Sequence, residues 1–394
     1  MATAITADEL ARRRESLLEE VRRNGLAGFA LFGQDYIRYF TAFEFLATER
    51  PVAVVGNASG DLAVFVPEFE VERVRAETEF ERVESYPEYP GLEHPMLLLS
   101  RLLLDLGVRG STGADADGYP GILGYAGPAL SDVTGHPVLP LSPFVESMMA
   151  RKSDAEVALI RESGKWCSHA HRLLQEYSRP GSTEAEASLR AGHETTLALL
   201  EALGPEIGQQ ASSDGASAGY RGQIGLRSAW AHAVAHNIEF REGDVLVTET
   251  SAPIWGYNAE LERAMIIGAP TDEMRRLFDH TVAAQQAAFD VLRPGVTCAD
   301  VDRAVLAYFE QNDLMPYWRQ HVGHGIGLRN HEAPFLDVGD HTPVEPGMVF
   351  TIEPGLYAPR VGGFRHSDTV VVTEDGIEVL TEYPKDIDGL TIPA

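Results

Sequence analysis

Two stretches in the last quarter of the chain place chemically capable groups close together. One is HVGHGIGLRNHEAPFL, His321 to Leu336, and the other is GMVFTIEPGLY, Gly347 to Tyr357. They set His324, His331 and Glu353 among glycines and β-branched residues. Glycine lets a backbone approach a ligand closely and take φ > 0 without strain. The run MVFTIE reads as a buried strand, so Glu353 is expected in or beside an apolar layer. A carboxylate there is costly unless it is paired, hydrogen-bonded or bound to a metal. An imidazole and a carboxylate delivered in this way form a candidate catalytic or ligand pair.

Three further segments carry the same kinds of group. AWAHAVAHN holds His232 and His236, VTETSAPIWGYNAELER holds Glu249, Glu260 and Glu262, and GGFRHSDTVVV holds Arg365, His366 and Asp368. Each reads as a strand or its edge, so one sheet is expected to gather them from distant parts of the chain. Plainer roles exist beside the chemical ones. His236 can cap the turn HNIEFREGD, Glu249 can make a structural salt bridge, and Arg365 and Asp368 can hold the terminal strand. His321 and His366 read as loop or supporting residues.

The elements that must position these groups are legible in outline. ADELARRRESLLEEVRRNGL is an amphipathic helix ending near Asn24-Gly25. GFALFG and PVAVVGNASGDLAVFVP read as strands, the second a hairpin turning at Asn57 to Gly60. HPMLLLSRLLLDLG is a helix, and ADADGY is expected to begin another crossover. Beyond these, Ser153 and Glu156 form a capping box that opens a long helix, with STEAEASLRAGHETTLALLEALG as a second. The polar, glycine- and serine-rich stretch Gln209 to Ser228 is expected to be a loop or an active-site flap. Strands, two more helices (TDEMRRLFDHTVAAQQAAFDVL and TCADVDRAVLAYFEQNDL) and more strands complete the chain. That order suggests an internal αβ duplication, with helices packed on one face of a sheet.

A chain of 394 residues is too long for one ordinary core. The expected division is residues 1–147, a small α/β domain, and 148–394, an α+β domain carrying the site. A net charge of −27 argues against nucleic acid and anionic membrane surfaces as partners. Of the 32 basic residues only three, Lys152, Lys165 and Lys385, are lysine. No apolar run is long enough to cross a membrane, and the N-terminal helix lacks the apolar segment of a signal peptide. A cytoplasmic location is therefore expected. Cys167 and Cys298 supply no disulfide framework.

The motifs RKSDAEVALIR, GHGIGLRNHE-x-P, PGMVFTIEPGLY and GGFRHSDTVVVTEDG resemble those of the pita-bread fold. Creatinase, Xaa-Pro dipeptidase, aminopeptidase P and methionine aminopeptidase share that fold. The likeness runs from about Arg151 to Thr381, and the N-terminal third is similar to the smaller domain of the creatinase and prolidase branch. The resemblance implies a two-metal centre held by two aspartates, a histidine and two glutamates. By position these fall on Glu249, Glu260, His324, Glu353 and Ser367. Glutamate is a methylene longer than aspartate, serine brings no charge, and metals about 3.5–4 Å apart tolerate such changes poorly. The expectation is no metal, or one weakly held manganese, cobalt or zinc ion. Its candidate ligands are Glu249, Glu260, His324 and Glu353.

Similarity to metal-free creatinase implies a different assignment. Its catalytic histidine falls on His232 and its substrate-binding glutamates on Glu262 and Glu353. An arginine that reaches the partner subunit's site falls on Arg50. Phe335 stands where creatinase has a further arginine, which argues against creatine itself. The leading expectation is a creatinase-like hydrolase that cleaves a C–N bond in a small, polar, nitrogenous substrate. His232 would shuttle the proton, His324 and His331 would complete the catalytic set, and Glu262, Glu353 and Arg50 would hold substrate. The alternative is a metallopeptidase like Xaa-Pro dipeptidase or aminopeptidase P, acting on a dipeptide. A non-catalytic binding protein of the same fold is the third reading. A homodimer is expected in each case.

Overall fold

The computed structural model describes residues 5–204 and 215–394. The start of the glycine- and serine-rich stretch, residues 209–214, lies outside them. The chain forms two compact units, Ile5–Met149 and Ala150–Ala394. No described helix is long and apolar enough to cross a membrane.

The smaller unit is built on a six-stranded mixed sheet. Its order is Val83–Tyr86, Leu62–Pro67, Ala53–Asn57, Gly28–Leu31, Thr112–Ala114 and Val138–Pro140. The hairpin turns where Asn57 Oδ1 accepts from the amides of Ser59, Gly60 and Asp61. The helix Pro95–Asp105 starts at His94, whose ring accepts from the Met96 amide. The crossover expected after Gly113 contains only a short helix, Leu130–Thr134. After Ala114, the last residue of its strand, DADGY is irregular chain, in which Asp115 and Asp117 spend their carboxylates on backbone amides.

Among the described residues the larger unit has four long helices: Asp154–Tyr177, Glu184–Leu203, Asp272–Val291 and Cys298–Gln311. Three begin with reciprocal capping boxes, Ser153 with Glu156, Thr183 with Glu186 and Thr297 with Asp300. Their apolar faces join one hydrophobic cluster with the strands. That cluster includes Leu174, Ala191, Phe278, Val305, Met265, Phe350, Leu356 and Val370. The main sheet runs Glu332–Leu336, Gly323–Gly325, Val349–Ile352, Ser367–Val372, Glu260–Glu262, Glu249–Ser251 and Ser217–Gly219, with Ile377–Val379 paired to Ser367–Val372.

Register decides which side chains share a face. Thr351 pairs with Thr369, Glu262 with Ser367, Glu260 with Ser251 and Gly219 with Glu249. The two-residue period therefore puts Glu249, Glu260, Glu262, Glu353 and Ser367 on one face. His324 joins them by donating its amide to Thr351 Oγ1 at 3.2 Å. Gly323 makes the close pairing possible, since a Cβ there would lie 1.9 Å from the Thr351 carbonyl oxygen.

Candidate metal and catalytic site

Glu260, His324 and Glu353 are buried, and each offers a ligand atom within 4.8 Å of the others'. His324 Nδ1 lies 2.9 Å from the Gly325 carbonyl oxygen, which can only accept, so Nδ1 carries a proton. Nε2 then faces the carboxylates, 3.2 Å from Glu353 Oε1, with no aligned hydrogen-bond partner among the described residues. A backbone carbonyl that fixes the tautomer and frees the opposite nitrogen is how a metal-binding imidazole is oriented.

The electrostatics show a group of acids in search of a cation. Burial, then the neighbouring Glu353 charge, raises the Glu260 carboxyl to about 7. Burial works against a charge on His324, but Glu353 and Glu260 overcome it and raise the ring to about 9. Burial would likewise raise Glu353, and His324 instead holds it low. A divalent ion would relieve this crowding and displace the shared protons. The three groups fit one such ion. Ser367 extends the cluster without charge, its hydroxyl donating to Glu260 Oε1 at 2.9 Å.

The other expected residues stand in different relations to this triad. Glu262 is buried on the same face, but Arg365 grips both of its oxygens. Burial opposes the Arg365 charge, and the adjoining Glu262 carboxylate more than restores it. Glu262 is therefore committed inside the protein and not open to a substrate cation. Glu249 is half-buried and pairs with Arg221, Nε to Oε2 2.7 Å. His331 is exposed and stacks on His324, with ring centroids 3.7 Å apart and planes 16° from parallel. Burial of part of its ring, then the His324 charge, lowers it to about 4, so it is neutral near pH 7. His232 is exposed, and His321, half-buried beside His324, is lowered chiefly by burial. Arg50, in the smaller unit, pairs with Glu49 at 2.6 Å and Glu88 at 2.7 Å.

Three contributors escaped the reading of the sequence. Arg221 is one. Tyr357 is another, donating to Gln320 Oε1 at 2.7 Å and accepting from Arg365. The third is Arg263, fully buried behind the site. It donates to the carbonyls of Glu262, Ser367, Pro384 and Tyr383 and to Asp368 Oδ1, all between 2.7 and 3.2 Å. All five guanidinium donors are used. Only Arg221 left a signal, a non-glycine residue in the turn-like GYRG.

Fold and site together define a hydrolase of the pita-bread class, α+β in its larger domain with a smaller α/β domain before it. The family model for metallopeptidase family M24 matches residues 158–374, and that for the creatinase/prolidase N-terminal domain matches residues 13–117. The chain belongs to metallopeptidase family M24. A probable dipeptidase PepE of Mycobacterium tuberculosis is 29% identical over 393 residues, covering 97% of this chain and 96% of that one. An Xaa-Pro dipeptidase of Pyrococcus furiosus is 34% identical over 163 residues, 41% of this chain and 47% of that one. Among solved structures, dipeptidase PepE of Mycobacterium ulcerans superposes with a TM-score of 0.82 at 25% identity, covering all of both chains. An Xaa-Pro dipeptidase from Bacillus anthracis gives 0.81 at 25% identity, covering 99% of this chain and all of that one. These relatives favour the peptidase alternative over the creatinase-like reading.

Proposed function

We propose that this protein is a metal-dependent dipeptidase that holds one divalent ion on Glu260, His324 and Glu353. The observation that carries the reading is the buried cluster of Glu260, His324 and Glu353, whose ligand atoms lie within 4.8 Å of one another, with His324 Nε2 turned to Glu353. The names of the relatives support a dipeptide as substrate, with Xaa-Pro dipeptides the first to try. The commitment of Glu262 to Arg365 speaks against the paired-glutamate grip that a creatinase-like mechanism needs.

Bound there, the ion would polarise the scissile carbonyl and lower the pKa of water. The protein's own groups supply the rest. His331 is neutral near pH 7 and lies over His324, where its free ring nitrogen can donate a hydrogen bond to substrate. His232, exposed at the surface, is the residue assigned to pass a proton to the leaving nitrogen.

The test combines elemental analysis with hydrolysis of Xaa-Pro dipeptides before and after chelation. Activity should vanish with chelator and return with manganese or cobalt. His324→Ala should abolish both metal retention and turnover. Turnover by a metal-free sample, or hydrolysis of amidino compounds but no dipeptide, would overturn the proposal.

A further inference from the structure

The cleft face carries four carboxylates, Glu249, Glu260, Glu262 and Glu353, and two guanidinium groups lie against them. Arg365 holds Glu262. Arg221 reaches Glu249 with Nε 2.7 Å from Oε2 and places Nη2 3.7 Å from Glu262 Oε1. Glu249, Glu260 and Ser367 occupy positions that family resemblance gives to ligands of a two-ion centre. Of these, Glu249 is already neutralised and Ser367 has no charge to offer. The residues fit one ion and do not fit two.

Arg221 is held in place by a built turn. The Gln223 amide donates to the Tyr220 carbonyl at 2.8 Å, and the two central residues have φ of +48° and +71°. A non-glycine residue at positive φ carries strain that the surroundings must enforce. Gly222 cannot be replaced, because a Cβ would lie 2.1 Å from the Val234 carbonyl oxygen. Buried Glu184 clamps the loop by accepting from the amides of Gly222 and His236. The strand before the turn sets Gly219 opposite Glu249, which aims Arg221 across the sheet edge at that carboxylate.

We infer that the Arg221 guanidinium takes the place of a second metal ion, so that the site closes around a single divalent cation. The inference rests on the proposal that Glu260, His324 and Glu353 hold an ion. Charge balance supports it. With His324 neutral, the four carboxylates and two guanidinium groups leave two negative charges, the complement of one divalent ion. A second ion would leave this cluster doubly positive, a cost borne most by the buried Glu260, Glu262, Glu353 and Arg365.

The test is manganese stoichiometry, read by elemental analysis and by electron paramagnetic resonance, which distinguishes an isolated ion from an exchange-coupled pair. Wild type should load one ion per chain. Ser367→Glu alone should also load one, because Arg221 still occupies Glu249. Arg221→Gly with Ser367→Glu should load two and show the coupled signal; glycine suits the positive φ, so the turn survives the change. Two ions in wild type or in Ser367→Glu would overturn the role of Arg221 while leaving the metal-site proposal standing. A single ion in the double variant would overturn it too. No ion in any of the three would defeat the metal-site proposal itself, and this inference with it.

Discussion

Arg263→Met should destabilise the larger unit more than any substitution on the cleft face. Arg263 is fully buried and its five donors meet five acceptors. Methionine fills much the same space but donates nothing. Asp368, also fully buried, then keeps only Lys385 at 2.8 Å as a charge partner. Breaking a buried ion pair from one side costs roughly 3–5 kcal/mol. Four carbonyl oxygens lose a donor as well, and each one left unsatisfied adds about 1 kcal/mol or more. The loss should therefore exceed about 5 kcal/mol, comparable to the whole stability of many domains. A unit of this size loses roughly 2–4 °C of melting temperature per kcal/mol, so a fall of about 10–20 °C is expected. Thermal unfolding followed by circular dichroism and calorimetry would measure it. Adding Asp368→Asn should recover part of the loss, because the unpaired charge is gone. A single variant that melts within about 3 °C of wild type would refute the reasoning. A double variant no better than the single would assign the cost to the carbonyls instead.

Other substitutions probe different parts of the same framework. Lys152 and Glu332 form a buried pair at 2.9 Å, so Lys152→Met should cost about 3–5 kcal/mol in urea unfolding, and Glu332→Gln in the same chain should restore part of it. Gly323→Ala should force apart the strands that present His324, costing at least about 1–3 kcal/mol and weakening manganese binding in a calorimetric titration. Stability should fall in acid. Burial would raise the Asp368 carboxyl, but Arg263 and Lys385 hold it below the usual range. Its contribution is then complete above the unfolded value of about 3.9 and lost as pH falls through the folded value. Asp368→Asn should flatten the acid limb of a melting-temperature profile, and an unchanged limb would assign acid sensitivity elsewhere.

Local signals carried well from sequence to structure. The capping box at Ser153 and the hairpin at Asn57 depend on residues a few positions apart, and both formed as expected. The glycine-rich motifs around His324 and Glu353 led to the triad, because strand alternation and burial leave few places for such groups. Partner choice over long separations was not legible. Glu262 read as a substrate-binding acid, but its partner Arg365 lies 103 positions further on. Arg263 was given no role, since nothing local in AELER reveals that its acceptors come from Ser367, Asp368 and the segment near Pro384. The crossover expected after Gly113 formed, joining the parallel strands Thr112–Ala114 and Val138–Pro140, but its acids satisfy loop amides and its helix is short.

The short strand Glu260–Glu262, with Arg263 directly after it, also bears on how the chain finds its fold. Glutamates face the cleft at one set of positions, and an arginine faces a buried aspartate at the other. Sliding this strand by one residue against Ser367–Val372 would exchange the faces. Arg263 would swing toward the ligand-binding acids, and a glutamate would enter the apolar layer opposite Asp368. A purely hydrophobic strand would lose only packing by such an error, whereas here the slip sets a glutamate against buried Asp368 and takes away its arginine. The charges that equip the cleft thus also penalise a shifted register, so an insertion or deletion of one residue within this segment should cost stability as well as the site.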